Sequence, residues 1–367
     1  MKKIQQILCA AAVAAILTGC GDGSKFNVSG TVSDPSFEGA QVFLVRDGEA
    51  VDSTVVADGT FAFSGAAAEP WMASVVALGL EGRAMLDFVA EPGSISLDLI
   101  TDALGGTPLN DSLTAHRQRS ADPALEGELK AWLERYYASD DAASRAVAER
   151  GYDSVADIAM HRDLESAMAL YNANRDNVLG AYAMGQACGT DLLTYSQLEE
   201  LLADAPESVK GYKPVADKRQ QLKAMDATAV GKRYTDIQGV DGKLSDLIDG
   251  RVALVDFYAS WCGPCRAEIR DNLVPLWKKY QQKGLVVVGL NVWERGDAAA
   301  RKAAHEKVMA DLGIDYPQLV DSTRTATDTY GVMGIPQIML IGSDGTILAR
   351  DLRGNAIEEA VAKALGK

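Results

Sequence analysis

Apolar and polar residues alternate in short runs between positions 26 and 105. Phe26-Asn27-Val28-Ser29-Gly30-Thr31-Val32, Thr60-Phe61-Ala62-Phe63-Ser64 and Ser94-Ile95-Ser96-Leu97-Asp98-Leu99 each repeat with period two, the pattern of a half-buried strand. Asp47-Gly48 and Asp58-Gly59 punctuate these runs as hairpin turns. The segment predicts a small all-β domain, an antiparallel sandwich or barrel. From 106 to 228 the period changes to that of a helix. Leu125 to Ala138, Ser154 to Ala173 and Tyr195 to Leu202 are rich in Ala, Glu, Leu and Arg and poor in Pro. Tyr136, Tyr137, Met160, Met168, Tyr171, Tyr182 and Met184 fall at helical spacing and are expected in the core. From 229 to 367 the pattern alternates between strand and helix. Val252 to Phe257 and Gly284 to Val292 are nearly unbroken apolar runs, as buried parallel strands require. Helices are predicted over Pro264 to Gln282, Asp297 to Leu312 and Ala356 to Leu365. A hairpin is predicted around Ser343-Asp344-Gly345. The fold class is therefore multi-domain: a C-terminal α/β domain (229–367) preceded by a small all-β domain (26–105) and a helical segment (106–228).

Charge narrows the partners. The 367 residues carry a formal net charge of −15, which repels phosphates and argues against nucleic acid. The N-terminus reads as a targeting signal. Lys2 and Lys3 precede an apolar stretch, Ile7 to Leu17, too short to span a bilayer, which ends in Leu17-Thr18-Gly19-Cys20. That ending resembles a bacterial lipobox. Residues 1–19 are then a lipoprotein signal peptide, Cys20 the lipid-modified residue, and 20–25 a short tether. Of the five cysteines, Cys9 leaves with the signal and Cys20 carries lipid. Cys188, Cys262 and Cys265 remain, too few for a disulfide framework.

The chemistry concentrates in Trp261-Cys262-Gly263-Pro264-Cys265. A strand that ends in Cys-x-x-Cys and feeds a helix places the first sulfur where free N–H groups and peptide dipoles favour an anion. A thiolate there attacks disulfides, and the second thiol, one turn on, resolves the mixed disulfide. No cofactor is needed. A metal site is not predicted either: there is one Cys-x-x-Cys, and His116, His161 and His305 are scattered. Cys188, alone in an Ala/Gly-rich segment, is expected to be buried and inert. Asp256 stands in the otherwise apolar run Val252 to Phe257, where a carboxylate is costly unless it has a partner or a task.

Residues 229–367 resemble the thioredoxin superfamily, most closely exported thiol–disulfide oxidoreductases of the TlpA/ResA type. The matching stretches are Val255 to Glu268, around the dithiol, and Gly334-Ile335-Pro336. Residues about 293–316 match an insertion of the exported members. Val230-Gly231-Lys232 with Leu244-Ser245-Asp246-Leu247 looks like their N-terminal hairpin. The segments upstream resemble the N-terminal part of thioredoxin-like lipoproteins of Bacteroidota, a domain of unknown function. The resemblance implies roles. Cys262 is the nucleophile and Cys265 the resolving thiol. Asp256 lies beneath Cys265 and takes its proton. Glu268 is a second candidate for that step, and many relatives carry Asn where this chain has Asp256. Trp261 covers the rim of the site. Pro336 follows a cis bond, and the Ile335 backbone pairs with an extended substrate. Partners would be envelope proteins carrying disulfides, an upstream thiol reductant, and the membrane through Cys20. The competing functions are a lipid-anchored binding or scaffold protein with an inactive thioredoxin fold, and a thiol peroxidase. Ala259-Ser260-Trp261-Cys262 lacks the Pro and Thr that frame a peroxidatic cysteine.

Overall fold

The computed structural model describes residues 24–79 and 82–366. The expected signal peptide, with Cys9, and the expected lipidation residue Cys20 lie outside the described residues. The chain divides into two compact units. One runs to Leu192 and includes Pro206–Tyr212; the other comprises Leu193–Ala205 and the chain from Lys213 on.

The first unit begins with eight strands: β1 (Lys25–Thr31), β2 (Gln41–Arg46), β3 (Glu49–Val55), β4 (Thr60–Ala66), β5 (Trp71–Leu78), β6 (Arg83–Ala90), β7 (Gly93–Asp98) and β8 (Leu104–Gly105). They form two four-stranded sheets, ordered β4-β1-β7-β8 and β3-β2-β5-β6. Alternation delivers the core: Phe26 and Val28 of β1 and Phe61 and Phe63 of β4 are buried, as are Val42 and Leu44 of β2. The expected hairpin turns form, with both residues of Asp47-Gly48 and of Asp58-Gly59 at positive φ. The sandwich is not wholly antiparallel, because β1 pairs in parallel with β7.

Helices follow: α1 (Pro108–Ser120), α2 (Pro123–Ala138), α3 (Ala142–Ala173), α4 (Val178–Gly189), α5 (Tyr195–Ala203), α6 (Glu207–Lys210) and α7 (Lys213–Ala227). The helical segment 106–228 is shared between the two units. α1–α4 and α6 belong to the first; α5 and α7 belong to the second. Arg219 of α7 reaches Glu199 of α5 with both ends of its guanidinium fork. The helical core is also thinner than periodicity predicts. Tyr171 and Met184 are buried, whereas Tyr136, Tyr137 and Met160 are exposed, and α2 has no buried residue.

The second unit is built on a five-stranded sheet ordered β11-β10-β9-β12-β13: β9 (Val252–Tyr258), β10 (Leu285–Asn291), β11 (Gln318–Val320), β12 (Gln337–Ile341) and β13 (Ile347–Ala349). β10 runs parallel to both β9 and β11, and β12 is antiparallel to β9 and β13. β9 is buried at every position. Its side chains divide between two apolar layers. Val252, Leu254 and Tyr258 join one; Ala253, Val255 and Phe257 join the other. The first layer takes in α9 (Gly263–Glu268), α10 (Val274–Tyr280), α11 (Ala298–Leu312) and α13 (Asn355–Ala364). The second takes in α8 (Leu244–Ile248) and α12 (Thr325–Tyr330).

Two expectations change here. Leu244 to Leu247 is helical rather than half of a hairpin, and only the isolated bridge Gln238↔Lys243 stands near it. The helix predicted over 264–282 is interrupted by a π-turn, Ile269–Leu273. Pro275 is the physical reason: it has no N–H and its ring crowds the carbonyl four residues earlier, so the helix widens just before it.

α7 supports the loop that leads to the site. Gly331, at φ +63°, sits where a Cβ would lie 2.8 Å from the Gln221 carbonyl oxygen and 3.1 Å from the Met225 nitrogen. Gly331→Ala should destabilise the second unit by about 1–3 kcal/mol, from left-handed backbone strain plus overpacking. Chemical denaturation followed by fluorescence checks this, since Trp261, Trp277 and Trp293 lie in that unit; unchanged stability would mean that α7 yields freely.

Candidate active site

The C-terminal end of β9 hands the chain to the start of α9, and there Cys262 is the N-cap residue. Its sulfur accepts the N–H of Cys265 at 3.2 Å, so a backbone donor points at the atom that becomes the thiolate. The helical run continues through the π-turn to Tyr280. Cys262 and Cys265 are joined as a disulfide. Cys262 is 4% exposed and Cys265 is fully buried. The first sulfur is therefore the one an incoming group meets.

Opposite the dithiol lies the Ile335–Pro336 peptide, which is cis. The Ile335 carbonyl oxygen is 3.7 Å from the Cys262 sulfur. Pro336 is buried and Ile335 half-buried, while Met333 is 71% exposed. Trp261 covers the rim, 44% exposed, with its ring nitrogen donating to the Trp293 carbonyl at 3.0 Å.

Asp256 occupies the β9 position between Leu254 and Tyr258. Strand alternation places its side chain in the layer that contains Cys265. It is wholly buried, and neither carboxyl oxygen has a hydrogen-bond partner among the described residues. Burial pushes its pKa from 3.8 up to about 8; the Arg353 guanidinium opposes the shift and the Glu268 carboxylate adds to it. Burial also pushes Tyr258 and Tyr316 up, with the Asp256 charge next in effect on both. Glu268 is held elsewhere. Its carboxylate accepts the Gly354 N–H, at the start of α13, and the Asn272 side chain. Cys188 lies buried in α4, in the other unit.

Residues 221–350 match the family model described as AhpC/TSA family. The dithiol at a helix N-cap, the cis-Pro facing it and the mixed sheet all lie in or beside that span. This C-terminal domain is thioredoxin-like. Residues 26–113 match a second model, described as domain of unknown function (DUF4369). The thioredoxin-like domain is similar to the thiol:disulfide interchange protein HelX of Rhodobacter capsulatus, 33% identical over 122 residues, covering 33% of this chain and 62% of that protein. It is also similar to the thiol-disulfide oxidoreductase ResA of Bacillus thuringiensis subsp. konkukian, 27% identical over 133 residues, covering 36% of this chain and 72% of ResA. The chain thus spans less than two thirds of the first of these relatives. Among solved structures, a thioredoxin family thiol:disulfide interchange protein from Chlorobium tepidum is 26% identical, covering 37% of this chain and 97% of that one, with a TM-score of 0.31.

The thioredoxin-like domain also uses residues that the sequence did not flag. Glu294 accepts the Ser260 N–H and hydroxyl at 2.6 and 2.7 Å and the Asn291 side chain at 2.8 Å. It clamps the turn immediately before the dithiol. Arg353 donates to the Pro336 carbonyl. Both contacts join positions far apart in the chain, so no local spacing announces them. Among the described residues no group of His, Cys, Asp and Glu fits a metal ion.

The Asp256 shift has a stability consequence. Between pH 3.8 and about 8 the folded chain keeps a proton that the unfolded chain has released. Burying Asp256 therefore costs progressively more as pH rises through that window. Asp256→Asn should stabilise the domain by about 2–4 kcal/mol at the top of the window and by little at its acid end. Denaturation midpoints at the two pH values check this; a gain that is independent of pH would show that the carboxyl does not titrate there.

Proposed function

We propose that this protein is an exported, lipid-anchored thiol–disulfide oxidoreductase that reduces or exchanges disulfides in cell-envelope proteins. The observation that carries the reading is the Cys262–Cys265 disulfide itself, at a helix N-cap, with the Ile335 carbonyl of the cis Ile335–Pro336 peptide beside the first sulfur and a buried carboxyl on the side of the second. The relatives named as interchange proteins and oxidoreductases support the activity. Export and lipidation rest on the sequence alone, on the Lys2-Lys3 start, the apolar stretch and Leu17-Thr18-Gly19-Cys20. No helix among the described residues is long and apolar enough to cross a membrane.

In the reductive direction the Cys262 thiolate attacks a partner S–S bond. One partner sulfur stays on Cys262 and the other leaves as a thiolate. The Cys265 thiol gives its proton to Asp256 and attacks the Cys262 sulfur. The partner's second thiolate departs, and the disulfide in this structure is the product. Two electrons have moved to the partner. Regeneration runs the other way. One thiol of an upstream dithiol attacks the Cys262 sulfur, Cys265 leaves, and protonated Asp256 returns a proton to it. The reductant's second thiol then attacks its own sulfur in the mixed disulfide, so that the Cys262 thiolate is released and the reductant departs as a disulfide. A carboxyl poised near neutrality serves both directions. Glu268 acts on Asp256 as a neighbouring negative charge that keeps its proton affinity high. Trp261 and the Ile335 backbone receive the partner, which lies along the cis-Pro loop as an extended segment. No cofactor enters the cycle.

Cys262→Ser should lower the rate of insulin disulfide reduction by at least about 100-fold, because a hydroxyl replaces the thiolate nucleophile. Cys265→Ala should retain the first attack and accumulate a mixed disulfide, visible as a thiol-sensitive gel shift. Full activity in Cys262→Ser would end this reading.

A further inference from the structure

The rim of the dithiol carries two arginines that the mechanism does not use. Arg295 lies over the Trp261 ring at 4.3 Å, and Arg324 lies over the Trp293 ring at 5.5 Å. The two tryptophans are themselves linked. The Trp261 ring nitrogen donates to the Trp293 carbonyl, and the Trp293 ring nitrogen donates to the Thr327 hydroxyl at 3.3 Å. Each guanidinium is thus held on an aromatic face whose own polar edge is fixed. Both arginines are exposed, and neither makes an ion pair among the described residues. Arg266, close by, is different: it is matched by Asp311 at 3.6 Å. The carboxylate next to Arg295 in the chain, Glu294, is turned to Ser260 and Asn291.

Two cations without an ion pair among the described residues, one on the tryptophan that precedes Cys262 and one on the tryptophan hydrogen-bonded to it, are unusual in a chain of net charge −15. A guanidinium stacked on a ring keeps its N–H fork free for a carboxylate and has given up part of its rotamer freedom already. Charges at the rim of a contact act on encounter and on choice of partner. We propose that Arg295 and Arg324 select partner proteins whose disulfide is flanked by Asp or Glu residues. This rests on the oxidoreductase reading and adds the substrate class to it. In the encounter complex the partner cysteine meets Cys262 while the acidic neighbours meet the guanidinium groups above Trp261 and Trp293.

The test uses the full chain and two synthetic peptide disulfides that differ only in the residues flanking cysteine, Asp in one and Lys in the other. The unaltered protein should favour the Asp peptide in kcat/KM by about tenfold at low salt, and the preference should shrink at high salt as the charges are screened. The double substitution Arg295→Glu with Arg324→Glu should reverse the preference, and the milder Arg295→Gln with Arg324→Gln should abolish it. A parent ratio near one, or a ratio that survives either double substitution, overturns the proposal. Turnover of neutral hydroxyethyl disulfide by the unaltered protein separates the two failures. Turnover without a peptide preference removes the arginine assignment alone; no turnover removes the oxidoreductase reading and this inference with it.

Discussion

A strand buried on both faces can meet solvent only at its ends, and β9 is such a strand. All seven of its residues are buried, and two apolar layers close on it from opposite sides. The cost of exposing either face fixes its register against β10 and β12, because a slip by one residue would exchange the layers. Everything reactive then follows from where β9 stops. Its end presents Ala259 to Trp261 as a turn, the turn places Cys262 at the first free N–H groups of a helix, and β12, its antiparallel neighbour, brings Pro336 to the same end. The dithiol needs no binding energy of its own to be positioned. It inherits its place from the burial of Val252 to Tyr258.

Asp256 is the single exception to that burial logic, and its environment shows which force dominates. Arg353 stabilises the carboxylate and Glu268 destabilises it, so the two neighbours work against each other. Arg353 is exposed, and a charge reached partly through water is weakened by screening. Desolvation acts on Asp256 with no such relief, because its oxygens find no donor among the described residues. Burial therefore decides the sign of the shift, and the charged pair trims it. Asp256 and Glu268 also part company physically. Glu268 is fastened to Gly354 and Asn272, a holding role at the start of α13. Asp256 is fastened to no donor among the described residues.

What the sequence made legible was what sequence neighbours decide. Strand, turn, Cys-x-x-Cys and helix follow one another within about twenty residues, so the place of Cys262 and Cys265 was readable, as was the carboxylate stranded in an apolar run. The doubly buried strands announced a layered α/β domain through their unbroken hydrophobicity. Contacts made across the fold left no such trace. Glu294 reaches Ser260 from the far end of β10, Arg353 reaches Pro336 from the start of the last helix, and β1 finds β7 in parallel across five intervening strands. Helical periodicity misled at α2, because a 3.6-residue stripe shows that a face is apolar and not that anything covers it. Nor could it show that α5 and α7 group with the thioredoxin-like domain, since membership in a unit is a property of packing.

The same contrast between local and long-range explains why charge at the site runs against charge in the chain. Net charge governs solubility and long-range repulsion, and within a Debye length of about 8 Å at physiological ionic strength it yields to whatever groups are nearest. On Trp261, next to the dithiol, and on Trp293, hydrogen-bonded to Trp261, the charges stacked on the rings are guanidiniums. The carboxylate next to Arg295 in the chain, Glu294, is spent on holding the turn in place. An arrangement in which the anion is used for architecture and the cations are left at the surface gives the rim a polarity opposite to that of the protein as a whole. A general solubility requirement does not produce that inversion. A requirement to bring one class of sulfur, in one electrostatic setting, to Cys262 does.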